Sequence, residues 1–361
     1  MASGVQFAIF DHIEGMAGVP MARVLQERLE LVRMADAAGF AGYHLAEHHG
    51  SDLCLAPNQE IFLAAAAQVT AHIRLGPMVK ILPIHHPVRV IEDICLLDQL
   101  TGGRVDYGVG RGIAPIEHYW FGGDWEASHG RFEEALGLIL QGLRTGRVEA
   151  TGLRHYEFLP IEVTLTPFQK PHPPFWYPGN PEVAGRLGLN LMWPGQIPQR
   201  AHDVYVDAWH QHAGYGVRAD RAGDRPRVGT VELIVVAETE AEAKAIAARG
   251  HRGLLRRIVH VHTFDAMALG PEGAAAALTE PARRAHVLVE RDDASSYEAM
   301  AVAAGTPDQV RNRLGDYLAT GLSDYLVLQV PTGDMTFEET TRSLQLFIDE
   351  VMPALSGLTV S

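Results

Sequence analysis

Cysteine is nearly absent from this chain of 361 residues, with Cys54 and Cys95 the only two. Two isolated thiols make no disulfide framework and no Cys-x-x-Cys pair for redox or zinc chemistry. Long apolar runs are missing as well: no uninterrupted segment approaches the roughly 20 residues that span a bilayer, so no membrane association is expected. The start, Met1-Ala2-Ser3-Gly4-Val5-Gln6, lacks a basic stretch followed by an apolar one, which predicts no signal peptide and a cytoplasmic location. Positive charge is in short supply, with 30 Lys plus Arg against 44 Asp plus Glu and a net charge of −14. A nucleic-acid partner needs a basic stripe and is therefore not expected. An anionic cofactor is still allowed, because a few local cations override the global field. Neither an internal repeat nor a low-complexity linker is visible.

What the chain does have is a 47% hydrophobic content arranged in a regular rhythm. Short apolar runs at 6–10, 42–46, 75–82, 104–108, 174–177, 189–192, 232–237 and 325–330 read as strands. Between them, 22–39, 58–72, 88–100, 131–144, 198–213, 239–250, 307–320 and 337–351 carry apolar residues at helical spacing. In the first of these, Val24, Leu25, Leu29, Val32 and Ala35 form one stripe and Gly39 stops it. Eight such alternations predict an α/β fold, a (β/α)8 TIM barrel, occupying 1–361 as a single domain. Two stretches break the rhythm. Proline-rich 145–173 reads as a long connection with a hairpin around 152–162, and 251–305 reads as a loop-rich, partly helical excursion capping the barrel mouth.

Polar clusters fall at the C-terminal ends of several predicted strands, where barrels build their active sites. Asp11, His12 and Glu14 follow the first strand, and Glu47, His48 and His49 the second. His85-His86-Pro87 follows the third, Gly108-Val109-Gly110-Arg111-Gly112 the fourth, and Pro178-Gly179-Asn180-Pro181-Glu182 the fifth. An acid and two imidazoles at a strand end are costly to bury unless something uses them, for proton transfer or for a metal. Neighbouring residues on a strand point to opposite sides, so neither histidine pair chelates one ion, and no metal site is expected. The glycines around Arg111 suit a backbone passing close to a flat or anionic ligand, or a plain tight turn with a surface arginine. Asn180 suits either an anion at a helix start or an ordinary N-cap. Lys80, inside an apolar run, either snorkels to the rim or reaches the pocket. Tyr119-Trp120-Phe121 suits a pocket wall, a subunit contact or plain core.

The ordered set of motifs resembles the bacterial luciferase-like flavin monooxygenases over nearly the whole chain. It comprises Glu47-His48-His49, then Leu82-Pro83 with His86-Pro87-Val88-Arg89, Glu92-Asp93 and Leu97-Asp98, then Gly102-Gly103-Arg104 and Gly110-Arg111-Gly112. Phe121-Gly122 with Asp124, Ser128 and Arg131-Phe132 follow, and Gly305-Thr306-Pro307 through Met352-Pro353 complete it. The resemblance implies a (β/α)8 barrel, usually a homodimer, that binds reduced FMN at its C-terminal face. A separate flavin reductase supplies that FMN, which reacts with dioxygen to give a flavin peroxide that oxygenates a small organic substrate. His48 matches the family's catalytic histidine, and His49 lies beside the flavin. Glu47, Gly110, Arg111, His129, Gly179 and Asn180 are the positions expected to contact the cofactor, Arg111 at its phosphate end.

Three departures from the family pattern stand out, one of them a segment after Asn180-Pro181-Glu182 about one helical turn shorter than the family's. His129 replaces an arginine expected after Ser128, which makes one phosphate charge depend on pH. Gly110 replaces the reactive cysteine of the luciferases, which marks the chain as something other than a luciferase proper. A deazaflavin-dependent reductase or dehydrogenase on the same barrel is the second reading, and a non-catalytic flavin-binding subunit the third.

Overall fold

The computed structural model describes residues 4–212, 216–217, 224–278 and 302–358. The chain opens with β1 (Gln6–Asp11), α1 (Met21–Ala37), β2 (Gly42–Leu45) and α2 (Gln59–Ala67). β3 (Arg74–Pro77), β4 (Lys80–Ile81), α3 (Pro87–Thr101), β5 (Tyr107–Gly110), α4 (Pro115–Trp120) and α5 (Ser128–Thr145) follow. A two-stranded antiparallel hairpin, β6 (Arg147–Val148) and β7 (Ile161–Glu162), precedes β8 (Phe175–Tyr177), α6 (Pro181–Leu187), β9 (Asn190–Pro194) and α7 (Gln199–Gln211). The last part holds β10 (Val228–Val236), α8 (Glu240–Thr263), α9 (Asp265–Ala277), β11 (Val302–Gly305), α10 (Pro307–Leu318), β12 (Tyr325–Gln329), α11 (Phe337–Leu346) and α12 (Met352–Ser356).

Nine strands pair in the order β3-β2-β1-β12-β10-β9-β8-β5-β4, every pair parallel. β3 and β4 are two halves of one run, and Leu75 bridges to Val105 just ahead of β5, so the ring is a nearly closed (β/α)8 barrel as expected. Local signals explain much of it. In α1, Val24, Leu31, Val32 and Ala35 are buried on one face, and Gly39 turns the chain with φ +83°. Capping boxes start α10 at Thr306 with Gln309 and α11 at Thr336 with Glu339. Inside the barrel Ala8, Met78, Trp176, Met192, Tyr325 and Val327 pack together, while a larger layer including Leu31, Ile94, Leu136 and Phe347 fills the space under the helices. Each large side chain so buried contributes about 1.5–3 kcal/mol.

Several expectations need correction. The third strand breaks at Met78-Val79, because its first half pairs with β2 and its second with β5. Gly108 and Gly110 lie inside β5 rather than in a turn after it. A Cβ on Gly108 would strike the Pro77 carbonyl, and one on Gly110 would come within 2.6 Å of the Val79 side chain. Close strand packing is what requires those two glycines; Gly112, at φ +85°, is the turn glycine. The helix expected over 239–250 runs on to Thr263, and α9 follows at once with a kink at Gly270-Pro271, so 251–277 of the excursion is largely helical rather than loop-rich. The excursion ends in β11, which pairs with the upper half of β10; the charged stretch 283–293 lies outside the described residues. The hairpin's first arm lies at Arg147–Val148, ahead of the expected 152–162. Among the described residues no helix is long and apolar enough to cross a membrane.

Candidate active site

Right after β2 the chain leaves the sheet, and the next turn carries Glu47, His48 and His49. Glu47 is buried and fully engaged. Its Oε2 accepts the Ile81 N–H at 2.6 Å, and its Oε1 meets His85 Nε2 at 2.6 Å and His49 Nε2 at 3.1 Å. Burial alone would raise its pKa, but the hydrogen bonds from His49 and His85 prevail and hold it well below the usual carboxylate range. Glu47 therefore stays ionised and orients two imidazoles.

His48 takes a different partner. Its Nδ1 lies 3.2 Å from Glu117 Oε1, an oxygen that also accepts the His49 N–H at 2.8 Å. Glu117 comes from α4, is wholly buried, and keeps Oε2 free of any hydrogen bond. A carboxylate on one ring nitrogen fixes the tautomer and leaves the other nitrogen to exchange protons. Sequence reasoning missed Glu117, although it is the only acid between Asp106 and Asp124. His12 stacks on His48 with ring centroids 5.8 Å apart, and Phe121 packs edge-on against His49 at 4.5 Å. His86 lies outside this group: its Nδ1 accepts the Val88 N–H and caps α3. The two histidine pairs are thus split: His49 and His85, one from each, share Glu47, while His48 goes to Glu117 and His86 to its own helix.

A second cluster forms where β5 and β8 end and α5 begins. Arg111 donates to Ser128 Oγ at 3.2 Å, and its guanidinium lies 3.8 Å above the Trp125 ring. Among the described residues no carboxylate pairs with it. His129 is exposed at the start of α5; partial burial and then the charge of Arg111 lower its pKa, so it is neutral at pH 7. Asn180 caps α6, its Oδ1 accepting from the Glu182 and Val183 amides at 2.9 and 3.3 Å, so its side chain serves its own helix. Gly179 is required because a Cβ there would strike the Tyr177 ring. Tyr177, also unforeseen, is close enough to Arg111 and to the Asn180 backbone for both to oppose the rise that burial imposes on its pKa. An unpaired arginine beside a buried hydroxyl suits a phosphate monoester.

Lys80 reaches neither rim nor pocket: it is buried against Glu60 at 2.8 Å, and Glu60 also accepts from the Tyr107 hydroxyl. Tyr119, Trp120 and Phe121 are exposed, not core. The excursion does meet this end of the barrel. α9 packs on α4, with Asp265 Oδ1 accepting the Ile116 N–H at 2.9 Å and Trp120 lying 5.6 Å from the Phe264 ring.

The C-terminal mouth of this barrel thus gathers acid-held imidazoles and an arginine with no carboxylate partner among the described residues. The sequence matches the model of the luciferase-like monooxygenase family over residues 5–324. The chain belongs to that family, and relatives named as monooxygenases make it an oxidoreductase that incorporates molecular oxygen. It is 27% identical, over 98% of its length and 96% of the relative's, to the oxygenase component of a flavin-dependent trigonelline monooxygenase from Acinetobacter baylyi. Among solved structures, the oxygenating constituent of 3,6-diketocamphane monooxygenase from Pseudomonas putida, in complex with FMN, superposes with a TM-score of 0.73 at 21% identity, covering 97% and 98% of the two chains. The coenzyme F420-dependent tetrahydromethanopterin reductase of Methanopyrus kandleri shares the fold at a TM-score of 0.67 and 18% identity, covering 98% of this chain and all of that one (100%).

Proposed function

We propose that this chain is the oxygenase component of a two-component monooxygenase that uses reduced FMN, delivered by a separate flavin reductase, and dioxygen to oxygenate a small organic substrate. The observation that carries this reading is the pairing, at one barrel mouth, of the His48–Glu117 dyad with the unpaired Arg111. The full-length likeness to an oxygenase component supports it. Arg111, Ser128 and Tyr177 would hold the FMN phosphate, with Gly110 at the base of that turn and Gly179, Asn180 and His129 at its edge. Bound reduced flavin supplies the electrons that activate dioxygen. His48 holds or releases the proton on the ring nitrogen that Glu117 leaves free, and Glu47 keeps His49 and His85 in place beside it.

The same reading makes the enzyme cytoplasmic and homodimeric. Ile61 on α2 and Leu96 and Leu100 on α3 leave apolar side chains exposed, which suits a contact between two copies. A deazaflavin-dependent dehydrogenase is the competing assignment on this fold. Equilibrium binding separates the two: reduced FMN is expected to bind tightly, and Arg111→Ala to weaken it by about tenfold or more, as loss of a charge-assisted phosphate contact should. Oxygen uptake with substrate and a supply of reduced FMN completes the test. Preference for reduced deazaflavin, with no oxygen uptake, would replace this reading by the dehydrogenase.

A further inference from the structure

α4 carries Glu117 to the mouth but has little of its own to hold it there. It runs for six residues, Pro115–Trp120, too few for a helix to persist alone. Its N-cap is Ala114, which has no side-chain acceptor, and Pro115 brings no N–H. The Glu117 N–H is closed by the Ala114 carbonyl at 3.2 Å. The Ile116 N–H is closed from elsewhere: it donates to Asp265 Oδ1 at 2.9 Å, across 149 positions of sequence. Asp265, the first residue of α9, thus supplies through space the cap that Ala114 cannot.

Asp265 is itself held. Its Oδ2 meets Nδ1 of His262, in the last turn of α8, at 2.9 Å, and both side chains are sealed from solvent. Ala114 and Ile116 share one apolar cluster with Leu254 and Val261 of α8, and Trp120 lies 5.6 Å from the Phe264 ring. One residue past Ile116 stands Glu117, whose Oε1 lies 3.2 Å from His48 Nδ1 and accepts the His49 N–H at 2.8 Å. At 3.2 Å the His48 contact is at the long end of the hydrogen-bond range, so a shift of α4 by about 0.5 Å would break it. From His262 to His48, each link is either a hydrogen bond or one step along the backbone of α4.

We propose that Asp265, steadied by His262, is a positioning residue: it fixes the first turn of α4 and thereby sets Glu117 against His48. The inference rests on the reading of His48 and Glu117 as the proton-handling dyad. Asp265 transfers no proton; it acts only through where Glu117 stands. Without it the Ile116 N–H loses its partner, the first turn of α4 loosens, and Glu117 no longer selects one tautomer of the His48 ring. The apolar packing of Ile116 against α8 remains, so the helix stays in place while the dyad loses its register. The junction of α8 and α9 thus acts on the reaction from outside the dyad.

Kinetics of a double-mutant cycle test the proposal. Asp265→Ala should lower kcat about tenfold with reduced-FMN affinity unchanged, as Glu117→Gln should. Combined, the two should cost no more than about twofold beyond Glu117→Gln alone, because both act on one contact; independent effects would multiply. Asp265→Asn keeps an oxygen for the Ile116 N–H and should restore most of the rate. A second readout needs no cofactor: nitrogen-15 spectra of the His48 ring in the free protein above about pH 8, where imidazole is neutral. Wild type and Asp265→Asn should show one tautomer protonated at Nδ1, and Asp265→Ala a mixture. Should Asp265→Ala fold poorly, His262→Gln, which frees Asp265 Oδ2, carries the same two measurements. Multiplying effects, a loss of affinity in place of rate, or an unaltered His48 spectrum would overturn the positioning role. Wild-type protein that consumes no oxygen with reduced FMN would remove the proposed function instead, and the His48 spectrum would still decide whether Asp265 sets the dyad.

Discussion

The barrel has buried ionisable groups at both ends, and the two ends treat them differently. Toward the N-terminal end, His44 Nε2 meets the Tyr325 hydroxyl at 2.8 Å, with both residues at most 1% exposed. Around them Arg74 pairs with Asp106 at 3.0 Å, Arg225 with Asp324 at 2.6 Å, and Arg227 lies over the Trp176 and Tyr325 rings. Burial drives His44 down to about 4, so it is a neutral hydrogen-bonding ring at any physiological pH. At the C-terminal mouth the imidazoles of His48, His49 and His85 each hold a carboxylate on one side, yet keep 12%, 14% and 21% of their side chains open. A sealed polar cluster serves stability; a half-open one can exchange protons with a ligand. On the proposed function, that open edge is what separates the histidines of the mouth from the sealed ring of His44.

The comparison breaks first at His48. His48→Ala should lower turnover by about 10²–10⁴-fold, the usual worth of general acid–base catalysis, while circular dichroism and melting temperature stay near wild type. Unchanged turnover would put His48 with the structural ring at the other end. Next comes Glu117→Gln, which keeps an acceptor for His48 but removes the charge; kcat should fall about tenfold, with reduced-FMN affinity held. A pure affinity loss would make Glu117 a wall of the flavin site instead. Tyr325→Phe addresses the opposite end: stranding His44 Nε2 should cost about 1–3 kcal/mol in denaturant unfolding and leave kcat alone. A drop in kcat larger than the stability loss explains would erase the contrast between the ends. The smallest effect is expected from His129→Arg, where a fixed charge near Arg111 should tighten reduced-FMN binding a few-fold, read by titration calorimetry.

Much of this was legible in the sequence, unevenly. Strand and helix periodicity yielded the barrel, because a parallel strand buried on both faces reads as a short apolar run wherever it lies. The Glu47-His48-His49 turn was visible for the same reason: charges that interrupt such a run at its end are conspicuous. Partners from distant segments were not visible. Glu117 reaches His48 across 69 positions, and His85 reaches Glu47 across 38. Lys80 looked like a residue of the mouth, yet its charge is answered by Glu60 under the surface. The glycines of β5 resembled a ligand turn because a backbone packed against another strand and one packed against a flat ligand both exclude a Cβ. Only the register distinguishes them.

The sequence by itself determined the barrel, the family and the turn that carries the histidines, since each follows from local periodicity or from residues adjacent in the chain. Only the tertiary structure decided which partner each histidine meets. Proton chemistry depends on which carboxylate holds a ring and which edge stays open, and both are set by how strands and helices far apart in sequence close around one mouth.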